Sequence, residues 1–254
     1  MRQSALNLFV ADVTATTLLE PSAPLLLPSE THVWDFSLKA TDSDYLVLKG
    51  RLCEHELNRA SRFHREADSR RFVVARGFLR SVLGSYVSAD PASLQFHYSE
   101  RGKPRLDIPS QDFRFSISHS GERALIAVSS GREVGVDIEK ITPNTQCDKL
   151  AERFFSSAEF EALMKIEQED RIRSFFRYWS CKEAFLKAQG TGLSRSLSSF
   201  DVELGSRGAR LAATRPDPNE ATAWSLLEID SISGYAAAVV LEGPISAASL
   251  FRYQ

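Results

Sequence analysis

The chain has 254 residues, of which 43% are hydrophobic and 25% charged, a composition typical of a soluble globular protein with one large or two small domains. Its formal net charge of −2 creates no global field that would commit it to nucleic acid or to a membrane surface. Three cysteines without a CxxC pair indicate neither a disulfide framework nor a zinc site, and such a sparse, odd count suits a reducing cytoplasm.

The N-terminal segment MRQSALNLFVADV is broken by Asp12 and is too short for a secretory signal. No part of the sequence approaches the ~18 continuous apolar residues of a membrane span. We therefore expect a cytoplasmic protein.

Periodic patterns of apolar residues predict the elements of the first half. HVWDFSL alternates like a strand, and helical spacing covers residues 44–57 and 68–86. LQFHY has strand character and is followed by the turn-like segment ERGKP. FRFSIS and ALIAVS are predicted strands, and the tight turn HSGE joins them into a hairpin.

The second half alternates strands and helices in the same way. EVGVDIE is a predicted strand, followed by a short helix near residues 150–154. Ser156 and Glu159 form a possible capping box for the next helix. A long helix with an apolar stripe follows and ends at Gly190. LSSFDVEL, AWSLLEI and GYAAAVVL supply further strands.

Two short segments suggest an internal duplication. RFHREAD (62–68) and RFFSSAE (153–159) share the pattern R-F-x-x-x-A-[D/E], and GFLR (77–80) parallels AFLK (184–187). The two offsets differ, so the match requires an insertion and could arise by chance. A duplication would give two similar α/β halves with a cleft between them.

Two carboxylates lie two positions apart in the strand GVDIE. Asp137 and Glu139 share one face of this strand, about 7 Å apart by the strand rise. They are close enough to share a cation, and Mg²⁺ prefers such oxygen ligands. A solvated strand face is the alternative, and this pattern by itself favours it.

A third acid, Glu183, falls on the apolar stripe of the long helix. Burying an unpaired charge is costly, so we expect a partner. Lys187 could form an ordinary intrahelical pair worth ~0.3–0.5 kcal/mol. A metal shared with Asp137 and Glu139 is the alternative. With Lys182 and Lys187 alongside, such a site would suit a diphosphate.

Two further segments carry groups suited to phosphate. Ser118, His119 and Ser120 lie at an exposed turn at the end of a predicted strand and offer two hydroxyl groups and an imidazole. Gly102, Lys103 and Pro104 combine a residue that permits close approach with one positive charge. Taken alone, a structural histidine and a β-turn with a surface lysine explain these segments better.

Four motifs in this order resemble the 4′-phosphopantetheinyl transferase superfamily, in particular its larger surfactin-synthetase-activator (Sfp) type. They are GKP (102–104), SISHS (116–120), GVDIE (135–139) and WSCKEAFLK (179–187). The segment RASRFHREADSRRF (59–72) also looks related. The chain departs from the family pattern at Ser116, where Asn is frequent, and at Phe72, where some members have a polar residue.

The resemblance implies an α+β fold of two pseudo-equivalent subdomains, each a small sheet packed with helices, with the active site in the cleft between them. We place the N-terminal half at residues 1–128 and the C-terminal half, with the metal carboxylates, at 129–254. The implied reaction moves the phosphopantetheine arm of coenzyme A to a serine of an acyl or peptidyl carrier protein. It requires Mg²⁺ and releases adenosine 3′,5′-bisphosphate. We expect a monomer.

The same resemblance assigns roles to individual residues. Asp137, Glu139 and Glu183 match the metal carboxylates. Glu183 is also the candidate general base, and Lys187, which matches a diphosphate contact, is the second catalytic residue. The residues that the resemblance places at coenzyme A are Arg59, Gly102, Lys103, Pro104, Ser118, His119, Lys182 and Lys187.

Two other functions fit the same motifs. A catalytically inactive relative would bind coenzyme A or a carrier protein without transfer. Such a chain should have lost Asp137, Glu183 or Lys187, and all three are present. A magnesium-dependent nucleotide hydrolase would release the phosphopantetheine group to water and would need no carrier protein.

Overall fold

The computed structural model describes residues 8–11, 21–28, 30–107, 112–206, 208–245 and 247–253. Within these ranges the chain forms two main sheets, two short hairpins and six α-helices. The fold is therefore mixed α+β, as predicted. Most of the N-terminal segment analysed above lies outside the described residues. No helix in the described ranges combines the length and apolar character needed to cross a membrane.

The first sheet has five strands. In spatial order they are β1 (Leu8–Ala11), β12 (Ala247–Tyr253), β2 (Glu30–Ser37), β6 (Arg123–Ser130) and β5 (Phe113–Ser120). β12 pairs parallel to β1 and β2, and the other pairs are antiparallel. Because β12 comes from the end of the chain, the predicted boundary after residue 128 does not separate the sheets. The division into pseudo-equivalent halves stays a prediction.

Three helices accompany this sheet. Their bounds are α1 (Asp42–Gly50), α2 (Glu54–Ala60) and α3 (Glu66–Val87). Apolar residues of α3, among them Phe78 and Leu79, pack on the sheet around Trp34. The prediction of one helix over residues 44–57 was wrong. The first helix, α1, ends at Gly50, and a separate helix, α2, begins at Glu54. Glu56 caps the start of α2 by accepting a 3.0 Å hydrogen bond from the Cys53 nitrogen.

The second sheet has three antiparallel strands. In spatial order they are β10 (Trp224–Glu228), β11 (Tyr235–Glu242) and β7 (Val134–Lys140). Val134, Val136 and Ile138 of β7 point into a core shared with the first sheet. Gly135 lies on the opposite face of β7, as the alternation predicted, and meets the helix α6 (Gln168–Gln189).

From Ser174 onward α6 is buried on nearly every side, so the single apolar stripe predicted for it was wrong. Glu183 and Lys187, one turn apart, are among its partly exposed residues. The fully buried charge of this helix is Lys182, which is 0% exposed. α6 is buried because it lies between the second sheet and the elements that cover it.

Two helices and one hairpin cover α6. They are α4 (Cys147–Phe154), α5 (Ser157–Met164) and the hairpin of β8 (Phe200–Gly205) with β9 (Gly208–Thr214). A second hairpin, β3 (Phe96–Tyr98) with β4 (Pro104–Leu106), belongs to the first half of the chain. The predicted capping box at Ser156 and Glu159 is confirmed. Strands β1, β4, β9 and β12 had not been predicted.

The two sheets meet along the edge strands β5 and β7. Serine side chains of β5 supply the hydrogen bonds there. Ser116 Oγ accepts a hydrogen bond from the Val136 nitrogen at 3.2 Å, and Ser120 Oγ accepts one from the Lys140 nitrogen at 3.0 Å. Ser116 therefore still supports the junction, although it departs from the family pattern. These bonds satisfy backbone nitrogens of β7 that an edge strand otherwise leaves unpaired.

Candidate active site

Carboxylates of β7 face serines of β5 at the junction of the sheets. Ser118 Oγ donates to Asp137 Oδ1 at 2.8 Å, and Ser120 Oγ donates to Glu139 Oε2 at 2.9 Å. Asp137 is buried, with 2% of its surface exposed. The period of two in both strands explains the arrangement, because alternate residues of each strand share one face.

Helix α6 brings a lysine and a third carboxylate to this junction. Lys187 Nζ lies 2.7 Å from Asp137 Oδ1 and 2.8 Å from Ser118 Oγ. Glu183, one turn earlier, is close enough for its charge to act on Asp137 and Lys187. The structure therefore brings together all three predicted metal carboxylates and the predicted catalytic lysine.

The charge of Asp137 raises the proton affinity of the two other carboxylates. Burial, followed by the charge of Asp137, raises the pKa of Glu139 to about 7. The same two causes raise the pKa of Glu183, and the Lys187 ammonium opposes the shift. Crowded anions and limited hydration disfavour the ionised forms. A cation placed among these groups would relieve both penalties.

The oxygen donors of this cluster fit a hard divalent cation. Asp137 Oδ2 is buried and has no hydrogen-bond partner, whereas Oδ1 is bonded to Ser118 and Lys187. A buried carboxylate oxygen without a partner is costly, and Mg²⁺ prefers such oxygens. Among the described residues, no three His, Cys, Asp or Glu side chains form a ready-made coordination shell. In this arrangement the Lys187 ammonium neutralises Asp137.

Positive charge surrounds His119 at the end of β5. Loss of hydration among nearby protein atoms is the largest cause that lowers the pKa of His119. The positive charges of Lys187, Arg71 and Arg59 lower it further. Arg59 lies with its guanidinium carbon 5.3 Å from the centre of the Phe72 ring. The aromatic residue that departs from the family pattern thus supports a cation. This group of side chains can bind an anion.

Lys182 does not fit its predicted role as a coenzyme A contact. Its Nζ lies 2.5 and 2.7 Å from the two carboxylate oxygens of Glu159 and 2.7 Å from the Phe200 carbonyl oxygen. Glu159 also accepts a hydrogen bond from the Val202 nitrogen at 2.7 Å. Lys182 therefore joins α6 to α5 and β8 in the core, and none of its three ammonium hydrogens is left for a ligand.

Lys103 is also fully engaged within the protein. Its Nζ lies 2.6 Å from Glu133 Oε2, 2.6 Å from the Ala188 carbonyl oxygen and 3.2 Å from that of Val134. In this arrangement none of its three ammonium hydrogens is left for the nucleotide contact predicted for Lys103. Gly102, with a φ of 84°, turns the chain into β4, which begins at Pro104. Contacts from these two residues to coenzyme A stay predictions.

Ser120, noted in the sequence beside Ser118 and His119, bonds Glu139. One further residue at the site was missed by the sequence analysis. Arg71 was not singled out from the other arginines. Its charge acts on His119, and it forms a 2.6 Å ion pair with Glu122 in the β5–β6 turn. Only the packing of α3 against that turn distinguishes it.

Two protein-family models match most of the chain. Residues 133–240 match the 4′-phosphopantetheinyl transferase superfamily, and residues 37–131 match a model described as 4′-phosphopantetheinyl transferase, N-terminal. The 4′-phosphopantetheinyl transferase HetI of Nostoc sp. is 38% identical over 90% of this chain and 94% of its own length. Sfp of Bacillus subtilis, also described as a 4′-phosphopantetheinyl transferase, is 34% identical over 72% of this chain and 79% of its own.

Among solved structures, a holo-(acyl-carrier-protein) synthase from Bacillus anthracis in complex with CoA (3′,5′-ADP) is similar to part of the chain. The similarity covers 44% of this chain and 96% of that one, at 26% identity and a TM-score of 0.36.

Proposed function

The chain belongs to the 4′-phosphopantetheinyl transferase superfamily and is a 4′-phosphopantetheinyl transferase, and we propose that the cluster between β5 and β7 is its active site. The donor is coenzyme A, and the acceptor is a serine hydroxyl of an apo acyl or peptidyl carrier protein. Asp137, Glu139 and Glu183 hold Mg²⁺, and Lys187 contacts the diphosphate of coenzyme A.

A single observation carries the metal proposal. The buried Asp137 leaves Oδ2 without a partner while Glu139 and Glu183 crowd it with negative charge. When bound there, Mg²⁺ would neutralise the nonbridging diphosphate oxygens and lower the cost of charge that develops on them. Ser118 and Ser120 hold two of the carboxylates in place through their hydroxyl groups.

The chain's own residues then account for the transfer step. The serine oxygen of the carrier protein forms a bond to the β-phosphorus of coenzyme A. The bond from that phosphorus to the bridging oxygen breaks, and adenosine 3′,5′-bisphosphate leaves with the electron pair. Glu183 accepts the serine proton, for which its raised pKa makes it a stronger base than an ordinary carboxylate. Lys187 stabilises negative charge on the diphosphate.

The positive group around His119 serves the nucleotide end of the donor. We assign the 3′-phosphate of coenzyme A to His119 and Arg59, with the charge of Arg71 nearby. A dianionic phosphate favours sites with several charge-assisted donors. It would also raise the proton affinity of His119, which allows the ring to donate from a protonated nitrogen.

A direct test measures the mass of the acceptor. The purified protein is incubated with an apo carrier protein, coenzyme A and Mg²⁺, and the carrier is weighed by intact mass spectrometry. We expect a gain of one phosphopantetheine group, which is lost when the carrier serine is replaced by alanine. Binding without a mass gain would indicate an inactive relative. Release of free phosphopantetheine without a carrier would indicate a hydrolase.

Location and assembly are part of the same proposal. We assign the protein to the cytoplasm, where its three free cysteines would remain reduced. We assign it a monomeric state because one chain supplies every residue of the proposed site. Light scattering of the purified protein with and without coenzyme A tests the monomer.

A further inference from the structure

Lys103 links the β3–β4 hairpin to the last turn of α6. Its Nζ lies 2.6 Å from the carbonyl oxygen of Ala188, a helix residue 85 positions away along the chain. Its other acceptors, Glu133 and the Val134 carbonyl, lie at the start of β7. The side chain is 10% exposed, so these contacts are largely shielded from water.

The Ala188 carbonyl is one of the last four of the helix, which have no partner inside the helix. Neighbouring carbonyls are used differently, since the Gly190 nitrogen bonds to Lys187 O at 3.2 Å and the Thr191 nitrogen to Leu186 O at 3.3 Å. An ammonium group at this end also interacts favourably with the negative end of the helix dipole. Lys103 therefore acts as a C-terminal cap supplied from another element.

The capped turn is the one that carries Lys187. Lys187 directly precedes Ala188, and its ammonium reaches Asp137 and Ser118. Gly190, which follows α6, lies against the Lys103 stem, where a Cβ on Gly190 would lie 3.0 Å from Lys103 Cδ. The position of Lys103 and the direction of Lys187 are therefore set by one short segment of backbone.

We propose that Lys103 is a positioning residue for the transfer reaction, which holds the last turn of α6 on β7 so that Lys187 points to Asp137. It acts through this turn and does not contact coenzyme A. The inference rests on the proposed function for its kinetic consequence, because Lys187 matters only if it contacts the diphosphate.

The test compares two variants that each remove one cation from Glu133. Lys103→Met keeps the aliphatic stem but loses the contacts with Ala188 and Val134. Arg105→Met is the matched control, because Arg105 donates to Glu133 Oε1 at 2.6 Å and its side chain forms no hydrogen bond or ion pair with the described residues of α6. Carrier modification is followed by mass spectrometry over a range of coenzyme A concentrations. Amide hydrogen exchange is measured over the last turn of α6.

We expect Lys103→Met to lower kcat by about 10²-fold, the cost of a ~1 Å misplacement in an active site, with the KM for coenzyme A within about threefold. Exchange at residues 190–191 should become at least about tenfold faster. Arg105→Met should leave both unchanged. In a Lys187→Met background, adding Lys103→Met should lower kcat by less than about threefold, because its effect passes through Lys187.

Three results would overturn the proposal. A raised KM with an unchanged kcat would make Lys103 a nucleotide contact after all. Equal losses in Lys103→Met and Arg105→Met would assign the effect to Glu133. Unchanged kcat and exchange would leave Lys103 without a positioning role. If Lys103→Met does not fold, Lys103→Gln replaces it. If the wild-type protein modifies no carrier, the proposed function fails, and the exchange measurement still decides whether Lys103 holds the turn.

Discussion

Replacing Gly135 by alanine would test how closely α6 must lie on β7. A Cβ at this position would lie 2.9 Å from the Ala188 Cα and closer still to the Ala184 carbonyl oxygen and the Ala188 nitrogen. All three atoms belong to helix backbone, which cannot turn aside as a side chain can. Carbon atoms pack best at about 3.5–4.0 Å, so α6 would have to move by roughly 1 Å.

Two measurable consequences follow for Gly135→Ala. Overpacking of this kind costs about 1–3 kcal/mol of the free energy of unfolding, which urea denaturation measures. The displacement also carries Lys187 and Glu183 away from Asp137. A misplacement of about 1 Å can reduce a rate by about 10²-fold. The carrier-modification assay should therefore show a loss of at least that order in a variant that still folds at low temperature.

Gly50→Ala is the matched control, because a Cβ there would have nothing within 4 Å. It should leave transfer unchanged. In open space, a glycine-to-alanine change usually stabilises a protein by about 0.4–1 kcal/mol by restricting the unfolded chain. A Gly135→Ala variant with raised stability and a wild-type rate would refute the close contact, since the stability effect would then have the opposite sign and the predicted rate loss would be absent.

Other substitutions test separate parts of the site and core. His119→Ala should weaken binding of coenzyme A by ~10- to 150-fold in calorimetry and that of 3′-dephospho-coenzyme A far less; equal losses would place His119 elsewhere. Glu183→Gln should reduce transfer by ~10²–10⁴-fold, and recovery of wild-type turnover at high Mg²⁺ would leave Glu183 a ligand only. Lys182→Met should cost ~3–5 kcal/mol in urea denaturation because Glu159 stays buried without its cation; a neutral effect would contradict the buried pair. Burial lowers the pKa of His32 from 6.5 to about 4, so the unfolded chain binds more protons between these values. The contribution of His32 to the free energy of unfolding should thus fall by about 3 kcal/mol as the pH drops from 6.5 to 4, and the difference between the wild type and His32→Gln over this range measures it.

Local periodicity predicted most of the elements that form the site. The alternation in GVDIE placed Asp137 and Glu139 on one face of β7, and the structure has them there beside the serines of β5. The prediction that Glu183 lies on a single buried stripe was wrong, because α6 is buried almost all round from Ser174 onward. The residue lies near the carboxylates of β7 because of where α6 crosses the sheet.

The sequence by itself determined eight of the strands, the strand faces and the motifs that resemble the family, because these depend on neighbours within a few residues. It could not determine the partners of long charged side chains. Lys103 and Lys182 occupy motif positions that suggested ligand contacts, but both are bound within the protein. Their acceptors are main-chain carbonyls and carboxylates from distant segments. Main-chain carbonyls occur at every residue, so only the tertiary structure decides which of them an ammonium group reaches.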